Sequence, residues 1–229
     1  MRPFDIHLVA RTVVKRGWLP LPQQHVVRIT GQLTANDITD VNVIPPGTKA
    51  LLATGTTTIA SEALLHLPSG ITHIDFRSVT GMNHSKALKH IFKYHTHLEV
   101  ANFERNAFKD VTQLSRLPRT LTVLDLSATN MCQRIVSRLP TSMRFLSLGC
   151  EKVSGSFPST LSALFLANVH RVKASFVESL PRSLKCLDFY GAQEVDPHAI
   201  AALPQKSLLY LNFYSLQTLP DWTFMHLPR

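Results

Sequence analysis

Four histidines crowd one short segment: His84, His90, His95 and His97. Imidazole is a common metal ligand, and His95-Thr96-His97 could in principle hold an ion between two rings. No acidic or cysteine ligand accompanies them at a useful spacing, so they read as ordinary surface histidines and no metal is expected. The three cysteines, Cys132, Cys150 and Cys186, are odd in number and form no CxxC pair. That argues against a disulfide framework or a zinc knuckle and for buried thiols in a reducing compartment. Cys186 and Asp188 fall on one strand face with no histidine implied beside them, which argues against a thiol nucleophile. GxSxG, HExxH, Walker and GxGxxG patterns are all absent, so neither an enzyme nor a cofactor is expected. One glycosylation sequon, Asn83-His84-Ser85, is near chance in a chain of this length, and the reduced-thiol reading opposes secretion.

What remains is a surface that binds. The net charge is +9, which favours an acidic partner such as RNA, an anionic membrane surface or an acidic protein. Apolar residues make up 45% of the 229, enough for a sizeable core, and charged ones only 17%. No apolar run approaches the ~20 residues that span a bilayer. Residues 1–20 carry Arg2, Arg11, Lys15 and Arg16 against Asp5 and lack a secretory core. They read as a basic lead-in or cap, the alternative being a mitochondrial presequence. The expected setting is intracellular, cytoplasmic ahead of mitochondrial.

The elements that must position such a surface come from a recurring phrase. Leu117-Pro118 leads to Leu121, Leu124 and Leu126. The same frame fits Leu67-Pro68 with Ile71, Ile74 and Phe76, and Leu139-Pro140 with Met143, Leu146 and Leu148. Phe157-Pro158 leads to Leu161, Leu164 and Leu166, and Leu180-Pro181 to Leu184, Leu187 and Phe189. Looser copies start at Leu21 (Val26, Ile29, Gly31), Ile44, Tyr94 and Leu203. The nine anchors are 23, 23, 27, 23, 22, 18, 23 and 23 residues apart. Each final pair of aliphatics is two residues apart, so both point to one face of a short strand, and stacked copies bury that face.

This frame resembles the leucine-rich-repeat family, in the Leu-Pro-x-x-Leu-x-x-Leu-x-Leu form found in some bacterial and protozoan arrays. The resemblance covers roughly residues 21–226 and implies an α/β solenoid of about nine repeats. A parallel sheet would line its concave face, with short helices and loops on the convex face. The asparagine usual in the family three residues after the last strand leucine appears only as Asn106. An asparagine ladder is therefore expected to be mostly missing, with convex turns that are either less regular or built on Ser and Thr instead. Asp196-Pro197 reads as a helix start and Ser85–Tyr94 as a helix, while 149–158 reads as a bare loop.

Strand residues that alternate with the core positions should face the concave side. There Asp75, Glu104, Asp125 and Asp188 oppose Arg28 and Arg77, and the C-terminal third is aromatic. Phe145, Phe165, Tyr190, Tyr210 and Tyr214, around Asp188 and Asn212, are the expected partner-binding residues, as in protein hot spots. The alternative is that these rings pack on one another or under a C-terminal tail. Arg119, Arg144, Arg182, Lys185 and Lys206, with Lys49, should form a basic edge at the strand starts. That edge is either a solvated face or a ridge that tracks RNA phosphates. Leu227-Pro228-Arg229 copies Leu117-Pro118-Arg119 and reads as the start of an incomplete further repeat. Trp222, Phe224 and Met225 before it are expected to cap the open end, or to be covered by a partner or a self-contact. The function these readings favour is a non-catalytic recognition or scaffolding module that holds a protein. The alternative is a structural or assembly subunit of a ribonucleoprotein, mitochondrial or otherwise.

Overall fold

A computed structural model describes residues 25–40, 43–53, 55, 57–81, 85–106, 117–127, 135–149, 151–214 and 225. The expected lead-in (1–20), Leu21-Pro22, Cys132, Cys150, Trp222, Phe224 and 227–229 lie outside the described residues. The first half of the chain runs β1 (Val26–Ile29), β2 (Gln32–Leu33), α1 (Ala35–Thr39), β3 (Ala50–Ala53), β4 (Thr58–Ile59) and β5 (His73–Asp75). Next come α2 (Ser85–Tyr94), β6 (Val100–Asn102), β7 (Val123–Leu126), β8 (Phe145–Gly149) and β9 (Ala163–Ala167). The last elements are β10 (Arg171–Val172), α3 (Ala174–Glu178), β11 (Cys186–Asp188), β12 (Glu194–Val195), α4 (Pro197–Ala201) and β13 (Tyr210–Asn212).

The fold is α/β, with few helices and one large sheet of nine strands. Their order, β1-β3-β5-β6-β7-β8-β9-β11-β13, follows the chain without a swap, and the sheet does not close into a barrel. Neighbours pair in parallel throughout. The register stacks one residue per strand into a column: Val27, Leu51, Ile74, Ala101, Leu124, Leu146, Leu164, Leu187 and Leu211. From Leu51 to Leu187 this column has no exposed surface, and it joins Phe76, Phe103, Leu126, Leu148, Leu166 and Phe189 in the main core. The column contains the four leucines 124, 146, 164 and 187 that the frame puts in equivalent places.

The first copy needs a correction. Val27 and Ile29, not Ile29 and Gly31, share the core face, because Val27 pairs with Leu51 and Ile29 with Ala53. Gln32 leaves the large sheet altogether and pairs with Thr58 in a separate two-stranded sheet. A two-residue slip keeps the alternation of faces, so the pattern alone did not expose it.

The Leu-Pro step has a clear task. In the described copies that have the proline, its carbonyl accepts the N–H three residues on, as in Leu121 to Pro118, Met143 to Pro140, Leu161 to Pro158 and Leu184 to Pro181. This turn delivers the chain to the strand, where no N–H is asked of the proline. The hydroxyl inside the turn reaches the preceding copy. Thr120, Ser142, Thr160, Ser183 and Ser207 each donate to two carbonyls there, at 2.6–3.1 Å. A serine/threonine ladder therefore links successive strands, ahead of them and not in the outer turns. Asn106 adds a single amide rung, donating from Nδ2 to the Phe76 carbonyl at 2.6 Å. Ser183→Ala is expected to cost about 1 kcal/mol in urea unfolding. Ser162→Ala, whose hydroxyl reaches only its own turn at 3.4 Å, should cost close to nothing.

The copy without proline explains itself. His95 stands in the proline's place: its carbonyl accepts the Leu98 N–H at 3.1 Å, and its own N–H closes α2 on Ile91 at 2.9 Å. Proline has no N–H to give, so a copy entered from a ten-residue helix excludes it. The ring is buried, its Nδ1 has no partner, and burial holds its pKa below the ordinary value. Burial lowers His73 in the same way, against a smaller opposite pull from Glu99. The unfolded chain takes up these protons below about pH 6.5, whereas the folded chain resists them. Stability should therefore fall as pH drops from 7 to 5, by up to about 1.4 kcal/mol per pH unit for each proton. Asp75 acts in the opposite sense at lower pH, since burial raises its pKa despite Arg77. His95→Phe should flatten the loss measured by urea unfolding at pH 5, 6 and 7; an unchanged slope would remove His95 as its source.

The outer layer follows expectation at three places. Helix α2 spans Ser85–Tyr94. Helix α4 starts at Pro197 behind Asp196, whose side chain accepts the His198 N–H at 3.0 Å. Residues 151–158 form neither helix nor strand, although Gly149, expected in that loop, is the last residue of β8.

Candidate functional site

The sheet face turned away from the main core carries two columns. Ala50, His73, Val100, Val123, Phe145, Ala163, Cys186 and Tyr210 share one register position, and Leu52, Asp75, Asn102, Asp125, Ser147, Phe165, Asp188 and Asn212 the next. Val100, Val123, Phe145, Ala163, Phe165 and Cys186 make a second apolar cluster with Tyr210 packed against it. Phe145 and Phe165, expected as exposed contact rings, have 0% exposure. The reason is a large-over-small alternation: Phe145 pairs with Ala163, and Phe165 with Ser147. Each ring thus has a small register partner, and the two meet at 5.2 Å, with Tyr210 stacked 6.4 Å from Phe165. These phenylalanines hold the face together and are not available for contact.

The tyrosines are different. Tyr190 and Tyr214 stack at 5.3 Å and 12° just past the ends of β11 and β13, and Tyr214 is 36% exposed. Tyr190 and Tyr210 are half-buried. Asp188 and Asn212 are buried beneath them and act as positioning groups. Asp188 accepts the Tyr190 N–H at 2.8 Å and the Asn212 amide at 3.2 Å, and Asn212 accepts the Tyr214 N–H at 2.9 Å. The two side chains fix the turns on which both rings stand. Asn102 and Asp125 repeat the device toward the Glu104 and Ser127 N–H groups. Sequence reading counted these acids as surface charge. The signal for their role was visible as an Asp or Asn at the same place in five copies. Leu209, 82% exposed before β13, had no signal in the repeat pattern.

The basic residues are all on the surface: Arg119, Arg144, Arg182, Lys185, Lys206 and Lys49 are exposed. Arg144 and Lys185 occupy one main-chain column at the strand starts, with Lys49, Thr72, Glu99, Thr122 and Ser162. In that column each carbonyl accepts from the next strand's first residues. Glu99, also exposed, interrupts the positive charge.

Among the described residues, no group of three or more His, Cys, Asp or Glu side chains is placed to hold a metal ion. No described helix is long and apolar enough to cross a membrane. The chain matches no protein-family model, and no curated protein is detectably similar to it.

Proposed function

We propose that the chain is a leucine-rich-repeat solenoid of about nine repeats that works as a non-catalytic recognition or scaffolding module. Its partner is a protein, held at the C-terminal end of the sheet by Tyr190, Tyr210 and Tyr214. The observation that carries this reading is the stacked pair of half-buried Tyr190 and exposed Tyr214, set on turns fixed by Asp188 and Asn212. Rings held in place before contact lose little entropy on binding, and tyrosine is enriched among residues that dominate interfaces. Nearby, Leu209 adds exposed apolar surface. The test places a photo-crosslinking residue at position 209 or 214 of the whole protein in cells, with position 178 as an exposed control. One protein captured from 209 and 214, and not from 178, supports the reading. Equal capture from all three removes it.

The second reading, a ribonucleoprotein subunit, rests on the six exposed cations near the strand starts. Each phosphate they neutralise contributes about 0.7–0.9 to the salt slope of RNA affinity. The stacked Tyr190 and Tyr214 rings lie past the opposite ends of the strands from these cations, which ranks this reading second. RNA binding that is absent or insensitive to salt would eliminate it.

A further inference from the structure

One irregularity of the repeat leaves a hole in the outer layer. Phe145 pairs with Ala163, eighteen positions on, whereas Ala163 pairs with Cys186, twenty-three positions on. The strands keep their spacing in both cases, so the missing residues come out of the return segment. Beside the short segment, on the far side of the main core from the tyrosines, lies a depression of about 730 Å³. That volume falls within the range of small-molecule sites, roughly 300–1,000 Å³.

Its wall is strongly one-sided in charge. Lys152, Arg171 and Lys173 line it with His170, against the single acid Glu151. Arg171 meets Glu194 only at 3.8 Å, with both side chains more than half exposed, so that pair holds the guanidinium weakly. Ser154 and Ser175 add hydroxyls to the same wall. The base is apolar: Val153 is half-buried, and Phe176 is anchored edge-on against Phe157 and Phe189. One rim is fixed by Gly155, which has φ +111°, and a Cβ there would come within 3.0 Å of Val136. The β10–β12 pairing and the His170 N–H, which donates to the Glu151 carbonyl at 2.8 Å, hold the rest of the lining in place.

We propose that this depression binds a phosphorylated small organic molecule. The cations and hydroxyls take the phosphate, and an apolar or planar body covers Val153 and Phe176. Inorganic phosphate alone would leave most of the volume and the apolar base unused. A neutral body alone would place no anion beside Lys173 or beside Arg171, which is held only weakly by Glu194. The site is independent of the protein-recognition reading and stands or falls separately from it.

The test is calorimetric titration of the whole protein with adenosine monophosphate, inorganic phosphate and adenosine. Adenosine monophosphate should bind at least tenfold more tightly than either of the others, and more weakly as salt is raised. Arg171→Ala with Lys173→Ala should weaken it about tenfold or more. Lys206→Ala, at the strand-start edge, should leave it unchanged. Adenosine binding as tightly as the monophosphate would overturn the phosphate assignment, and inorganic phosphate binding as tightly would overturn the organic body. No binding below about 10 mM, or binding indifferent to the double substitution, would overturn the site.

Discussion

Leu146→Ala is expected to remove about 2–5 kcal/mol of stability in urea unfolding. The side chain has no exposed surface and lies between Leu124 and Leu164 in the register. Truncation therefore loses its transfer free energy and leaves a cavity that strands on both sides, themselves hydrogen-bonded, cannot collapse to fill. Domains of ordinary stability hold only about 5–15 kcal/mol, so this one change takes a large share. Leu209→Ala removes the same atoms from a residue 82% exposed and should cost under about 0.5 kcal/mol. Equal effects at the two positions would mean that the column is not the core.

Tyr190→Ala together with Tyr214→Ala is expected to weaken the crosslinked protein partner by about 2–4 kcal/mol, roughly 30- to 1,000-fold in Kd. The single substitutions should not add to the double, because the two rings stack on each other and removing one also releases the other. Phe165→Ala separates contact from support. Its ring is buried against Phe145 and Tyr210, so the loss should appear as folding stability, with affinity largely kept in the fraction that folds. Partner affinity unchanged in the tyrosine double would end the recognition reading at this site.

Much of the fold was legible because parallel strands that stack on their own copies leave a fixed period. Leu124, Leu146, Leu164 and Leu187 could be aligned by counting, and their register follows that count. The first copy was not legible to the residue: its phrase is degenerate, and a slip of two keeps every residue on its face. The serine/threonine ladder was half legible. A hydroxyl stands two residues after the proline in four copies and three after it in the fifth, but only the geometry of the turn shows it reaching back to the preceding copy. The candidate site was least legible. Alternation places Phe145, Phe165 and Tyr210 on one face, yet whether a ring is exposed depends on the size of the neighbour across the strand. Counting aligns Ala163 with Phe145 and Ser147 with Phe165, but only the packed sheet shows both rings closed over these small neighbours. The outer-layer depression was written in the eighteen-residue spacing, whose consequence for the return segment is three-dimensional.

Removing residues 163–185 tests the repeat reading most directly. Ala163 and Cys186 are register partners, so the deletion should let Cys186 take the place of Ala163 beside Phe145. Modular stacking predicts a chain that still unfolds cooperatively in urea, with lower stability and a smaller m-value, because each unit touches only its neighbours. Removing 163–174, about half a unit, should abolish folding. If the full-unit deletion unfolds as completely as the half-unit one, the chain is not built from interchangeable coils.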